Sequence, residues 1–227
     1  MDQPRRPSLI IFDVNETLSD LAPLAGRFEE VGAPGHLADL WFASVLRDGF
    51  ALTVAHSPAP FAEIASGVLR TLLSGVELDR EVDRAVTHVM DGFSGLGVHP
   101  DVVPGVEALA DSGLRLITLT NGSTQVADRL LSRAGVRDRF EALLSVEEAG
   151  PWKPAAGAYV RALEQCAVAA NEAMLVAVHP WDIDGARRCG LQAAWIDRGD
   201  RAYPAYGAEP SLTATSVVDL AGQLAGA

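Results

Sequence analysis

Four short apolar runs, each closed by polar or glycine residues and followed by a helix-period pattern, constrain this chain more than any other feature. The runs cover residues 9–12, 114–119, 174–178 and 193–196. After the second run, Val126, Leu130, Leu131 and Ala134 return at helical spacing, and Gly135 follows as a residue type that ends helices readily. Strand, turn and helix in repetition is the pattern of parallel βαβ units, so the spacing predicts a Rossmann-like parallel sheet.

From Leu18 to about Pro100 the pattern changes to helix after helix, with no run that reads as a strand of the sheet. Phe61, Ile64, Ala65, Val68, Leu69 and Leu72 make one amphipathic face, and Leu37, Leu40, Trp41 and Val45 make another. Pro58 and Pro60 divide the segment, and Pro100 and Pro104-Gly105 mark the return to the sheet. The expected organisation is an α/β core of residues 1–18 and 100–227 with an inserted helical cap of residues 19–99. A length of 227 residues accommodates both, and 48% hydrophobic with 21% charged residues is the balance of a folded globular chain.

Eighteen Lys and Arg against 30 Asp and Glu leave a charge of −12, with no basic stripe to capture a phosphate backbone, so nucleic acid is not an expected partner. Cys166 and Cys189 lack metal-ligand spacing and read as buried thiols. Residues 1–7 are charged and short, and the apolar run after them is too brief for a signal peptide or a membrane span. The expectation is a cytoplasmic protein with no membrane partner.

Ligands of open α/β sheets bind at the carboxyl ends of the strands, so the residues that close each run are the candidates for chemistry. The first run ends in Asp13, the second in Thr120-Asn121-Gly122-Ser123 and the third in His179-Pro180-Trp181-Asp182. Lys153 stands in the loop Gly150-Pro151-Trp152-Lys153-Pro154, after a run at 140–146. A carboxylate held ionised by a neighbouring cation is a competent nucleophile, and an activated water then splits the ester it forms. Asp13 alone reads more readily as a turn or N-cap aspartate; its company of hydroxyl, amide, cation and second carboxylate points to catalysis.

These residues resemble the haloacid dehalogenase superfamily and, within it, the type II L-2-haloacid dehalogenases. Phe12-Asp13-Val14-Asn15-Glu16-Thr17-Leu18 is similar to the nucleophile motif and Leu119-Thr120-Asn121-Gly122-Ser123 to the second motif. Lys153-Pro154 resembles the third, and the segment from His179 to Ala186 resembles the fourth. The resemblance implies Asp13 as nucleophile toward the Cα of a short 2-haloacid and Asp182 as the residue that orients or activates water. It implies further that Lys153 keeps Asp13 ionised and that Thr120 and Asn121 bind carboxylate oxygens. Asn15, Leu46, Phe61, Trp181 and Phe42 fall at substrate-contacting positions, although ordinary cap packing accounts equally for Leu46 and Phe61.

The chain also departs from the superfamily's patterns. A phosphatase of this kind needs an acid/base Asp two residues after the nucleophile, where this chain has Asn15, and a magnesium-binding Asp where it has Val178. Phosphoryl transfer depends on metal-neutralised charge, whereas displacement at carbon needs neither group. No metal and no cofactor is therefore expected. The Arg that follows a Leu-Trp pair in the dehalogenases is Phe42 here, after Leu40-Trp41. Arg47, five residues on, reads either as a weak substitute or as an exposed surface residue. His179 stands where the family has Asn and reads either as a base or halide donor or as a hydrogen-bonded structural residue.

The expected activity is hydrolytic dehalogenation of a small 2-halocarboxylate such as chloroacetate or L-2-chloropropionate through an aspartyl ester. The alternatives are hydrolysis of another small substrate, including a phosphate ester, and an inert binding protein on the same fold. The resemblance also implies a homodimer.

Overall fold

The computed structural model describes residues 6–148 and 150–226. Of the N-terminal stretch noted above, residues 1–5 lie outside the described residues, as do Ala149 and Ala227. The chain divides into two compact units, one holding the chain up to Ser19 and from Val98 onward, the other Asp20–Gly97.

In chain order the elements are β1 (Leu9–Phe12), α1 (Leu24–Glu29), α2 (Leu37–Val54), α3 (Phe61–Leu73), α4 (Val82–Ser94), α5 (Val102–Asp111) and β2 (Arg115–Thr120). They continue with α6 (Thr124–Arg133), β3 (Ala142–Ser145), α7 (Ala156–Cys166), β4 (Ala173–Ala177), α8 (Pro180–Arg188), β5 (Gln192–Ile196), β6 (Leu212–Ala214) and α9 (Val217–Ala225).

The first unit is an α/β fold on a six-stranded sheet of order β3-β2-β1-β4-β5-β6, parallel throughout. Its central strands are buried along their whole length, which is why they read as unbroken apolar runs. Ile10, Phe12, Leu116, Met174, Val176, Ala194 and Ile196 form one hydrophobic cluster with the inner faces of α5, α6 and α9. A Cβ on Gly105 would lie 2.6–2.7 Å from atoms of Val217, including backbone, so only glycine lets α5 approach α9 so closely. On the other helical layer α8 packs on β4 and β5, and α7 packs on α8. The chain order reverses between β1 and β4, so the sheet has its topological switch point there. An antiparallel bridge between Ser19 and Val98 closes the base of the inserted segment.

The second unit consists of α1–α4 around a group of aromatic rings. Trp41 meets Phe28, Phe42 and Phe93 at centroid distances of 6.4, 6.3 and 5.5 Å, and Phe61 stacks on Phe93 at 5.2 Å. The Trp41 indole N–H donates to Ala65 O (3.0 Å), tying α2 to α3.

Three details correct the expectations above. Leu40 is 49% exposed and Leu37 half-buried, because the buried stripe of α2 runs through Ala38, Trp41, Phe42 and Val45. In α3 the stripe closes on Leu73, with Leu72 half-buried. Cys166 is a buried free thiol, but Cys189, at the C-terminal end of α8, is only half-buried. Among the described residues, no helix is long and apolar enough to cross a membrane.

Candidate active site

The β1/β4 switch point carries a chain of three ionisable groups. Asp13 follows β1 directly, with its backbone N–H bound to Val176 O of β4 (3.0 Å). Asp182 stands in the first turn of α8, where Pro180 supplies the pre-set φ of a helix start and a carboxylate complements the helix dipole. Between the two carboxylates lies the Lys153 ammonium, 2.8 Å from Asp13 Oδ1 and 2.5 Å from Asp182 Oδ2. Lys153 and Asp182 are wholly buried and Asp13 nearly so.

Burial on its own would lower the proton affinity of Lys153, but Asp13 and then Asp182 outweigh it and hold the ammonium above the ordinary lysine value. Asp182 moves upward, chiefly because it is buried and secondarily because Asp13 repels it, although Lys153 acts in the opposite sense. A third group completes its shell: the Tyr159 hydroxyl donates to Asp182 Oδ1 (2.6 Å), and burial followed by the adjacent carboxylate pushes that phenol well above its usual range. Asp13 is completed by Thr17, whose hydroxyl donates to Oδ2 (2.7 Å) and accepts from the Val178 N–H (3.1 Å).

The motif after β2 organises the loops. Asn121 uses both ends of its amide on the main chain of Lys153: Oδ1 accepts from the Lys153 N–H (2.8 Å) and Nδ2 donates to its carbonyl (3.2 Å). Asn121 thus fixes the backbone from which the ammonium projects. Thr120 Oγ1 accepts from the Gly122 N–H (3.0 Å), and Ser145 Oγ donates to the Gly122 carbonyl (2.6 Å). In α8 a Cβ on Gly185 would fall 2.5 Å from Tyr159 Oη and 2.7 Å from Pro154 Cβ. The glycine lets Tyr159 and the Lys153-Pro154 segment close on Asp182.

His179, between β4 and α8, is nearly buried beside Asp13. Its Nε2 lies 3.2 Å from Asn15 O, 3.4 Å from Glu16 Oε2 and 3.8 Å from Asp13 Oδ2. Its ring stacks on Trp181 at 4.9 Å, and the Lys153 ammonium lies 5.9 Å from a Trp181 ring centroid. Asn15 is buried and contributes its carbonyl to this cluster.

Asp13, Asn15, Asn121, Lys153, His179, Trp181 and Asp182 therefore converge in the sheet unit, with Thr120 at the end of β2. Leu46, Phe42 and Phe61 belong to the helical unit. There Phe42 and Phe61 are buried, with ring centroids 6.4 Å apart, and Leu46 is half-buried. Arg47 is an exposed residue paired with Asp48 (2.8 Å). Three residues of the cluster carry no distinct signal in the sequence. Thr17 and Glu16 stood inside the nucleophile motif without a role, and Tyr159 sits on the apolar face of α7, with nothing in its neighbourhood to distinguish it from core.

A family model described as a haloacid dehalogenase-like hydrolase matches residues 7–190. An (S)-2-haloacid dehalogenase of Pseudomonas sp. (strain YL) is 29% identical over 210 residues, 92% of this chain and 90% of that protein. Haloacetate dehalogenase H-2 of Moraxella sp. (strain B) is 28% identical over 206 residues, covering 90% and 92%. Among solved structures, an L-2-haloacid dehalogenase from Xanthobacter autotrophicus with chloropropionic acid covalently bound superposes with a TM-score of 0.88. It is 20% identical over 97% of this chain and 99% of that one, a likeness of fold. The extent of the family match, together with a parallel sheet carrying its motifs at the switch point, places the conclusion beyond fold alone: this chain belongs to the haloacid dehalogenase-like hydrolases.

Proposed function

We propose that the chain hydrolyses the carbon–halogen bond of short 2-haloalkanoic acids, without a metal ion, through an ester on Asp13. The observation that carries this reading is the buried Asp13–Lys153–Asp182 chain at the switch point, flanked by Asn15 and Val178 where phosphoryl transfer would want carboxylates. The 2-haloacid and haloacetate dehalogenases it resembles along nearly their whole length point to the same substrates.

Of the two Asp13 oxygens, Oδ1 is tied up in a charge-assisted bond with Lys153, while Oδ2 accepts from the neutral Thr17 hydroxyl. Oδ2 keeps the greater electron density and is the attacking atom. It displaces halide from Cα, the C–X electron pair leaving with the halide, and an Asp13 ester results. Water then adds to the Asp13 Cγ, with Asp182 taking its proton; the upward shift of Asp182 suits it to that task. Lys153, on Oδ1, faces the oxygen on which negative charge then develops. Collapse breaks Cγ–Oδ2 as the remaining proton of the added water passes to the leaving oxygen, so the 2-hydroxy acid leaves with the former Asp13 oxygen and Asp13 regains one from water as a carboxylate. Asp182 returns its proton to solvent, which balances one proton and one halide per turnover.

The test is halide release from fluoro-, chloro- and bromo-2-carboxylic acids with EDTA present. Release is expected, and Asp13→Asn should abolish it while the protein keeps its circular dichroism and melting temperature. An Asp13→Asn variant that still turns over would overturn the assignment. Phe42, at the position of the family's arginine, favours a second reading in which the same nucleophile serves another small substrate. Magnesium-dependent phosphate release from p-nitrophenyl phosphate would support that reading.

A further inference from the structure

The nucleophile is aimed by a turn whose backbone is strained. Residues 14–19 fold back on Val14, whose carbonyl accepts from the N–H groups of Leu18 (2.9 Å) and Ser19 (3.0 Å). Within that turn Glu16 has φ = +62°, in the left-handed region that L-residues other than glycine adopt at a cost. Such a conformation persists only where its surroundings hold it. Thr17, wholly buried in the same turn, donates its hydroxyl to Asp13 Oδ2 (2.7 Å), the oxygen assigned above to attack carbon.

Thr17 is held at two points. Its hydroxyl accepts from the Val178 N–H (3.1 Å), and its carbonyl accepts from Nη2 of Arg198 (2.9 Å), a residue 181 positions further along and just beyond β5. The next carbonyl, Leu18 O, accepts from the His99 N–H (3.0 Å). The guanidinium is braced in turn by Asp101: Nη1 donates to Oδ1 (2.7 Å), while Oδ2 accepts from the Val217 N–H (2.7 Å) at the start of α9. Arg198 Nε is buried and makes no hydrogen bond among the described residues, so the two outer nitrogens orient the head. Each side chain of the pair is only 17% exposed, which leaves the attraction weakly screened by salt. A line of contacts thus runs from Asp101 through Arg198 and Thr17 to the nucleophile.

We propose that Arg198 is a positioning residue for the halide-displacing step: braced by Asp101, it fixes the main chain of Thr17 and, through the Thr17 hydroxyl, the direction in which Asp13 Oδ2 points. This rests on the aspartyl-ester reading above. Lys153 grips one oxygen of the carboxylate, which leaves the group free to turn about Cβ–Cγ until Thr17 supplies a second point. Displacement at carbon needs the attacking lone pair in line with the bond that breaks. Loosening the second point lowers the fraction of carboxylates turned correctly, while the nucleophile and its charge stay in place. An arginine suits the task because its planar fork reaches a carboxylate and a carbonyl at once, whereas lysine offers a single point charge.

Chloride release from 2-chloropropionate, followed by rapid quench with enzyme in excess and well below the melting temperature of each variant, measures ester formation in folded protein. Arg198→Met should slow it by about 10- to 100-fold, with the steady-state KM within a few-fold of wild type and the ester still visible by intact-protein mass. Arg198→Lys and Asp101→Asn, which keep part of the contacts, should slow it less, and they carry the test where Arg198→Met does not fold. In Thr17→Val the hydroxyl that transmits the effect is gone, so adding Arg198→Lys should slow ester formation by no more than about twofold further. Variants that melt lower but release chloride at the wild-type rate overturn the inference, as do factors from Thr17→Val and Arg198→Lys that multiply in the double variant. A KM that rises with kcat unchanged overturns it too, because Arg198 would then be a substrate-binding group. Full turnover with no protein-bound ester in any variant, and a product hydroxyl drawn directly from water in the first turnover, overturns the aspartyl-ester reading itself.

Discussion

Replacing Lys153 with Met tests whether the ion chain is as tightly coupled as its geometry implies. The ammonium is wholly buried and contacts two carboxylates at 2.8 and 2.5 Å. At an effective dielectric constant of about 20, each such pair attracts by about 6 kcal/mol before desolvation and the mutual repulsion of the carboxylates are counted. Removing the cation while leaving both carboxylates buried should therefore cost about 3–5 kcal/mol at pH 8. The loss should shrink as the pH falls. Burial already raises Asp182, and without the cation its folded-state value rises further, so the folded state binds a proton that the unfolded chain releases, and stability is regained toward acid pH. Urea unfolding at pH 8 and pH 5 measures both quantities. Lys153→Met/Asp182→Asn, which removes the second charge as well, should recover about 2 kcal/mol of the loss at pH 8. A single variant that loses less than about 1 kcal/mol at both pH values, or a double variant whose losses simply add, would refute the coupling.

Three further outcomes follow from the same contacts. Tyr159→Phe strips Asp182 Oδ1 of its 2.6 Å donor; unfolding measurements should show a loss of about 2 kcal/mol, and turnover should fall. Gly185→Ala drives a methyl group into Tyr159 Oη and Pro154, and should cost about 1–3 kcal/mol together with most activity, whereas Gly67→Ala, with open space around it on α3, should be tolerated. Burial would raise Asp101, but Arg198 (2.7 Å) and the Val217 N–H (2.7 Å) outweigh it and hold the carboxyl below its ordinary range. The stability this contributes is present above about pH 4 and lost as the pH falls further, so acid unfolding of Asp101→Asn should show a shallower pH dependence than wild type.

Asp13 and Asp182 were legible because parallel strands buried on both faces read as continuous apolar runs, and the first polar residues after such runs stand at the ligand-binding edge. Lys153 was legible for the same reason, one loop beyond β3. Tyr159 was not, because its hydroxyl finds Asp182 only through the packing of α7 on α8 that Gly185 permits, and no local pattern encodes that approach. The backbone of Glu16 was hidden as well: a glutamate in a motif loop gives no sign of a left-handed φ. Asn121 holds the Lys153 main chain with both ends of its amide, a pairing across 32 positions that only the folded loops reveal. In α2 helical periodicity located the helix but misjudged the buried stripe by including Leu40, because every neighbour from Leu37 to Val45 except Asp39 and Ser44 is apolar enough to face a core. β6, three residues long, is too short for periodicity to register.

The central claim is that Asp13 gives one of its own oxygens to the product. A single turnover in 18O-water, with enzyme in excess of 2-chloropropionate, tests it most directly. The account predicts a 2-hydroxy acid free of 18O in its hydroxyl and a protein heavier by one 18O-for-16O exchange at Asp13. Product labelled in the first turnover, with the protein unchanged in mass, would mean that water attacks carbon directly and would contradict it.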